Sequence, residues 1–293
     1  MTTPEVTDQR DELRGLIRSW TSTLRAKSAN TARSYEQAAT RFLDGLEGEV
    51  DADEVVDYLD SLVDLAPASR AHHISAVRSF LRFAQSQGVI ATGPIDLLVR
   101  PTVTVTSFNR YLDVEELQQL VAAARRLSPR HLATVLLLVG CGLRVAEASG
   151  ATWRDLFRDP QGRLGVRVIG KGSKQRIVRV RDDVFEALVT LHGSDHLDAR
   201  DTTPLLLDGQ RTGYTTRGLH KLVAESGRSA ELTKDVSPHW LRHTHATLAA
   251  LGGASAFVIQ SALGHSRLET SQRYVHWAKG LEDSSSDYLP AFG

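Results

Sequence analysis

The sequence predicts a mainly α-helical, multidomain protein: an N-terminal helical bundle followed by an α+β domain whose β content is one small hairpin. Three observations predict it. Apolar residues recur at helical spacing through both halves, one Val/Ile-rich stretch reads as paired strands around a glycine turn, and a segment without helical period separates the halves. The 293 residues fit two domains of ordinary size. Hydrophobic residues at 41% and charged residues at 24% describe a globular chain. No run approaches ~18 uninterrupted apolar residues, which excludes a membrane-spanning helix. The opening MTTPEVTDQRDELRG lacks the basic-then-apolar order of a signal peptide, so the expected compartment is the cytoplasm. A lone cysteine, Cys141, excludes an internal disulfide and a multi-thiolate metal site.

Charge divides as the domains do. The 35 Lys+Arg and 35 Asp+Glu cancel, yet residues 1–105 hold 11 basic and 15 acidic side chains and the remainder hold 24 and 20. A neutral total argues mildly against a nucleic-acid partner. A basic second half argues the other way.

In chain order, Ser28-Ala-Asn-Thr31 leads into Tyr35, Ala39, Phe42 and Leu46 at helical spacing. Asp51 with Glu54 is a capping-box signature for DADEVVDYLDSLV. Ile74, Val77, Leu81 and Ala84 repeat the helical period, and Pro67-Ala-Ser69 and Gly93-Pro94 mark loops. The expected domain is a bundle of about four helices over residues 1–99. RPTVTVTSFNR (100–110) fits an extended linker, with a β-strand as the alternative because Thr and Val favour strands.

The second domain is expected over residues 111–283. YLDVEELQQLVAAARRL is a helix with Asp113 as its cap, and HLATVLLLVG is apolar nearly all round, hence a buried helix. LGVRVIGKGSKQRIVRV (164–180) supplies two strands around Gly170-Lys-Gly-Ser173. Ser237-Pro238 opens a further helix that Gly252-Gly253 closes, and Ser266 with Glu269 signals another N-terminus.

Four stretches could carry chemistry. In GCGLRVAEA, Arg144 opens a helix after a glycine turn, where its fork of donors joins free backbone N–H groups and suits a phosphate. A surface arginine that merely starts a helix is the alternative. From Gln161 to Arg181 the hairpin carries Arg163, Arg167, Lys171, Lys174, Arg176, Arg179 and Arg181 with no acid, a ribbon suited to a polyanion or simply to solvent. In SPHWLRHTHATL, His239 and Arg242 lie at i and i+3, a neutral imidazole beside a guanidinium. His239 and His243 also have metal-ligand spacing, but without the intervening Glu of a zinc protease. His243 and His245 otherwise read as structural. In ALGHSRLETSQRYVH, Tyr274 follows His265 by nine residues. It is either a core residue or a nucleophile that needs cationic neighbours and a proton acceptor.

Taken in order, these motifs resemble the tyrosine site-specific recombinase (phage integrase) family, and most closely its Xer-like members, over nearly the whole chain. The resemblance implies an N-terminal core-DNA-binding domain and a C-terminal catalytic domain. It implies that Tyr274 attacks a DNA phosphodiester to give a 3′-phosphotyrosyl link, with Arg144 and Arg242 on the non-bridging oxygens. Lys171 is then the acid for the departing 5′-oxygen, His239 handles the tyrosine proton, His265 bonds the phosphate, and Glu147 orients the site. Arg163, Arg167, Lys174 and Arg176 of the hairpin and Ser28, Thr31 and Tyr35 of the bundle become expected DNA contacts. No cofactor or metal is implied. The expected partner is double-stranded DNA, bound at short inverted-repeat core sites by a homo-tetramer or by a hetero-tetramer with a second recombinase. Residues 284–293, with Tyr288, Leu289 and Phe292, are expected to form a tail exchanged between protomers. Two other readings remain: a DNA-binding accessory protein without turnover, and a type IB topoisomerase-like enzyme.

Overall fold

The computed structural model describes residues 9–26, 28–47, 49–90, 93–101, 110–170, 174–264 and 268–279. Lys171, His265 and Ser266, most of the expected linker and the expected exchanged tail lie outside the described residues. The chain divides into two compact units, residues 1–105 and 106–293.

Four α-helices make up the described part of the first unit: α1 (Gln9–Arg25), α2 (Ala29–Gly45), α3 (Ala52–Asp60) and α4 (Pro67–Ser86), followed by a 3-10 turn at Pro94–Leu97. Ser28 caps α2 by accepting from Thr31 N, and Asp51 caps α3 by accepting from Glu54 N. The Glu54 carboxylate accepts from Glu47 N at 3.1 Å and so ties the preceding loop to α3. The helical stripes meet at Leu13, Trp20, Phe42, Phe80 and Leu81, all essentially without exposure. Trp20 lies 5.1 Å from the Phe80 ring and stacks on Tyr35 at 6.3 Å.

The second unit is built around α6 (Pro129–Cys141), whose Val135, Leu136, Leu137, Leu138 and Val139 are all buried, as a helix apolar on every side must be. Around it lie α5 (Val114–Leu127), α8 (Asp182–His192), α9 (Thr216–Ser229) and α10 (Pro238–Leu251). Asp113 and Glu116 form the reciprocal capping box of α5. The short helix α7 (Val145–Gly150) follows the Gly142 turn. Among the described residues, β1 (Leu156–Arg158), β2 (Leu164–Ile169) and β3 (Gln175–Arg179) form one antiparallel sheet in the order β1-β2-β3. The predicted hairpin is β2–β3; β1 is an addition, three residues being too few to show alternation. Leu164, Val166, Val168 and Val178 turn into the core, while Arg167, Ile169, Gln175, Ile177 and Arg179 face out. The last helices, α11 (Ala256–Leu263) and α12 (Leu268–Lys279), pack on α10 through a separate seam of Ala246, Ala250, Ile259, Leu263 and Tyr274. Of the candidates, Arg144, Arg242 and Tyr274 are thereby brought to one region, where α6 and α11 end and α7 begins.

Candidate active site

Arg242 is a buried cation held by two backbone carbonyls. It sits on α10, 5% exposed, and donates from Nη1 to the Gly142 carbonyl and from Nη2 to the Leu263 carbonyl, each at 2.7 Å. These carbonyls close α6 and α11, so two helix C-termini direct their negative ends at one guanidinium. Burial and the neighbouring Arg144 lower its pKa to about 10, which leaves it charged at neutral pH. The turn that presents the first carbonyl requires glycine: Gly142 has φ +60°, and a Cβ there would lie 2.6 Å from Leu263 Cδ2 and 2.8 Å from His245 Cδ2.

Arg144 caps α7 and is the open partner, with 42% of its side chain exposed. Its N–H donates to Glu147 Oε2 at 2.7 Å, its Nη1 to Glu147 Oε1 at 2.9 Å, and its Nη2 to the Gly264 carbonyl at 3.4 Å. Glu147, 5% exposed, also receives Arg176 Nη1 and Nη2 at 2.8 Å each. Burial alone would raise the Glu147 pKa; the hydrogen bonds from Arg176 and Arg144 overcome it and hold the carboxylate at about 2.

Arg176 is placed apart from the other hairpin cations. Sequence reading places it among the DNA contacts, but in β3 it occupies the inward phase opposite Val168 and is 11% exposed. Its Nε donates to the Ala262 carbonyl at 2.8 Å, so all its donating nitrogens are engaged within the unit. It is a strut tying the hairpin to α7 and to the end of α11. The other nominated hairpin residues are exposed. Arg163 pairs with Asp159 at 2.6 Å, Arg167 lies 4.7 Å above the Phe157 ring, and Lys174 opens towards solvent beside the turn. In the bundle, Ser28 is spent on its helix cap, and Thr31 and Tyr35 are half-buried, Tyr35 against Trp20 and edge-on to His72.

Tyr274 on α12 is 8% exposed and belongs to the α10–α11–α12 seam, yet its hydroxyl is turned to polar company. Oη lies 2.5 Å from His243 Nδ1, and His243 Nε2 lies 3.0 Å from His239 Nε2. Burial raises the Tyr274 pKa, with Arg242 and Arg273 opposing, so the phenol is protonated at rest. Burial, His239, Arg242 and Arg110 push His243 down to about 4. His239 is lowered too, by burial and by Arg242, Arg110 and Arg144, so both imidazoles are neutral. His243 is the residue that sequence reading passed over as structural. Its spacing from His239 was visible; that α12 would bring a phenol to its other nitrogen was not. His245 does serve structure: its Nδ1–H donates to the Val139 carbonyl at 2.7 Å. Among the described residues no three His, Cys, Asp or Glu side chains gather to hold a metal ion. Cys141 is fully buried and its thiol is pushed up to about 12 by burial, which makes it a packing residue.

The chain is similar to known proteins in sequence and in fold. Residues 110–280 match the phage integrase family, and residues 17–88 match the phage integrase N-terminal SAM-like domain. The chain is 35% identical over 228 residues to the tyrosine recombinase XerC of Myxococcus xanthus, covering 74% of this chain and 75% of that protein. It is 30% identical over 271 residues to the tyrosine recombinase XerD of Staphylococcus epidermidis, covering 86% and 89%. Its fold resembles that of a lambda integrase fragment, residues 75–356, bound as a dimer to a core site, with a TM-score of 0.71 at 17% identity over 96% of this chain and 99% of that one. It also resembles the XerH site-specific recombinase in its pre-cleavage complex with difH, with a TM-score of 0.70 at 20% identity over 96% and 85%. With the arginines, the buried tyrosine and the capped helices that present them, these matches make the chain a member of the phage integrase family of site-specific tyrosine recombinases.

Proposed function

We propose that this recombinase cleaves and rejoins double-stranded DNA at short inverted-repeat core sites, using Tyr274 as the nucleophile. The observation that carries the assignment is the Tyr274 hydroxyl, buried in an apolar seam yet bonded to a neutral histidine on the helix that carries Arg242. Tyr274 Oη forms a bond to phosphorus, the bond from phosphorus to the 5′-oxygen breaks, and the 3′-phosphotyrosyl link keeps the energy of the original diester. Arg144 and Arg242 take the non-bridging oxygens, where negative charge builds in the transition state. Arg242 is preorganised by its two carbonyls; Arg144 is open to receive the phosphate. Lys171 protonates the departing 5′-oxygen and His265 bonds the phosphate, both by family resemblance.

Arg163, Arg167 and Lys174 meet the DNA backbone from the hairpin, with Ser28, Thr31 and Tyr35 supplying the bundle's side. Arg176 is withdrawn from that set. The protein acts in the cytoplasm, in a tetramer of like or mixed protomers on paired sites. Relatives and structural neighbours support this, one lambda integrase structure being a tetramer on a Holliday junction. No helix among the described residues is long and apolar enough to cross a membrane. The domains run from 1–99 and 111–283 around a linker, and the tail at 284–293 docks on a neighbouring protomer.

Nicked suicide substrates test the assignment. The expected result is a covalent protein–DNA adduct that disappears in Tyr274→Phe, together with strand joining between two sites. Relaxation of supercoils without joining would make the protein a topoisomerase, and no adduct on any site would make it an accessory protein. Arg144→Ala should lower cleavage by roughly 10²–10³-fold while half-site binding persists.

A further inference from the structure

His243 stands between Tyr274 and His239, and uses one ring nitrogen for each. The residue touching the reacting oxygen is therefore His243. A neutral imidazole has one N–H and one lone pair, so the line has a natural polarity. Tyr274 donates to His243 Nδ1, His243 donates from Nε2 to His239 Nε2, and the remaining hydrogen of His239 sits on Nδ1. In that arrangement each acceptor in the line has a donor and all three groups are neutral.

We propose that a two-histidine relay activates Tyr274, with His243 as the direct base and His239 as the terminal proton acceptor, and that the relay runs only when a phosphate occupies the space beside Arg144 and Arg242. The proposal rests on Tyr274 being the nucleophile. As Oη bonds to phosphorus, its proton passes to His243 Nδ1, and the Nε2 proton of His243 passes to His239 Nε2. His243 ends neutral in its other tautomer and His239 ends as imidazolium. The 5′-oxygen leaves with a proton from the acid, and the phosphodiester keeps its single negative charge. Rejoining reverses each transfer, the departing Oη reclaiming its proton from His243.

The condition on phosphate follows from the company the pair keeps. Arg242 lies on the same helix, Arg144 at the start of α7, Arg110 ahead of α5, and Arg273 directly precedes Tyr274 on α12. Burial is the largest cause that holds both imidazoles neutral, and these charged groups, all cations, add to it. An imidazolium among them is disfavoured until an anion offsets the arginines. Without DNA, the tyrosine therefore keeps its proton and the nucleophile is silent.

His243→Asn separates base from spacer, because its side-chain amide can meet the Tyr274 hydroxyl near the Nδ1 position but cannot take a proton. His243→Ala, supplied with free imidazole, is the second arm. The measurement is single-turnover cleavage of a nicked substrate, in ordinary form and with sulfur at the 5′-bridging position, whose thiolate departs without an acid. The expected result is wild-type DNA binding with cleavage slowed about 10²-fold or more in His243→Asn. Bridging sulfur should not restore it, and imidazole should raise the His243→Ala rate in proportion to its neutral fraction. Cleavage by His243→Asn within about threefold of wild type would overturn the relay, since general-base loss costs far more. Rescue by bridging sulfur would also overturn it, because the defect would then lie at the leaving group. An adduct formed by Tyr274→Phe in the same assay would instead sink the nucleophile assignment. The phosphate condition is read by NMR titration of His239 and His243 in Tyr274→Phe, free and on an uncleaved site. Both should titrate at higher pH on DNA, and unchanged titration would remove the gate.

Discussion

Glu147 shows how one carboxylate can serve two arginines with different duties. Arg144 stays open to a ligand while Arg176 is consumed in the fold. Removing one partner of a buried pair strands the other charge, so Glu147→Gln should cost about 3 kcal/mol, read as a fall in the thermal midpoint. Arg176→Ala and Arg167→Ala should part company in DNA binding. Arg176→Ala should lower stability yet leave the slope of log affinity against log salt unchanged, while Arg167→Ala should keep stability and reduce that slope by about 1. Equal slope changes would return Arg176 to the DNA face. The inward turn of Arg176 was hidden in the sequence because one residue of strand phase decides the face, and Ile177 and Val178 are both apolar, so the sequence does not say which of them turns inward with its neighbours at i±2. The neutral histidines carry a pH signature. His243 titrates near 4 in the folded chain and near its ordinary value when unfolded, so the unfolded state binds more protons between those limits. Stability should therefore fall as pH drops from about 6.5 towards 4, and His243→Asn should lessen the fall by about 1 kcal/mol after solvent screening. Equal acid sensitivity in the variant would contradict the assignment.

At the scale of elements, the turns matter as much as the helices they end. Gly142 closes α6 in the left-handed region and offers its carbonyl to Arg242. Gly142→Ala should cost about 2 kcal/mol from the backbone alone, with a further loss because its Cβ meets Leu263 and His245. Cleavage should suffer more than half-site binding; equal losses in both assays would mean that the turn is structural only. Such punctuation is what made the fold readable. Glycines at 142 and 252, the Ser237-Pro238 start and the Asp113 cap all stand where the sequence puts them. The third strand was illegible because Leu156–Arg158 spans three residues and is held by pairing with β2. The Tyr274–His243 bond was illegible for another reason: it depends on how α12 crosses α10, and helix packing leaves only a weak mark on local spacing.

For the whole molecule, a formal charge of zero conceals two units of opposite character, and the exposed hairpin arginines belong to the basic one. Binding should accordingly weaken steeply with salt, as expected when several phosphate contacts release counterions. A flat dependence between 50 and 200 mM salt, measured by half-site gel shift at about the affinity midpoint, would contradict a backbone-led complex. Deleting residues 284–293 should weaken pairing of two sites while sparing occupancy of one half-site. Unchanged recombination by the truncated chain would sink the proposed exchange.

The two carbonyls that hold Arg242 also finish α6 and α11. The bonds that position the proposed phosphate-binding guanidinium are thus the bonds that terminate two helices, and inherited change cannot grade one without the other. A lineage that drifts away from recombination should lose Tyr274 or the open Arg144 first. Arg242 should outlast them, as a relic that the folded chain still needs.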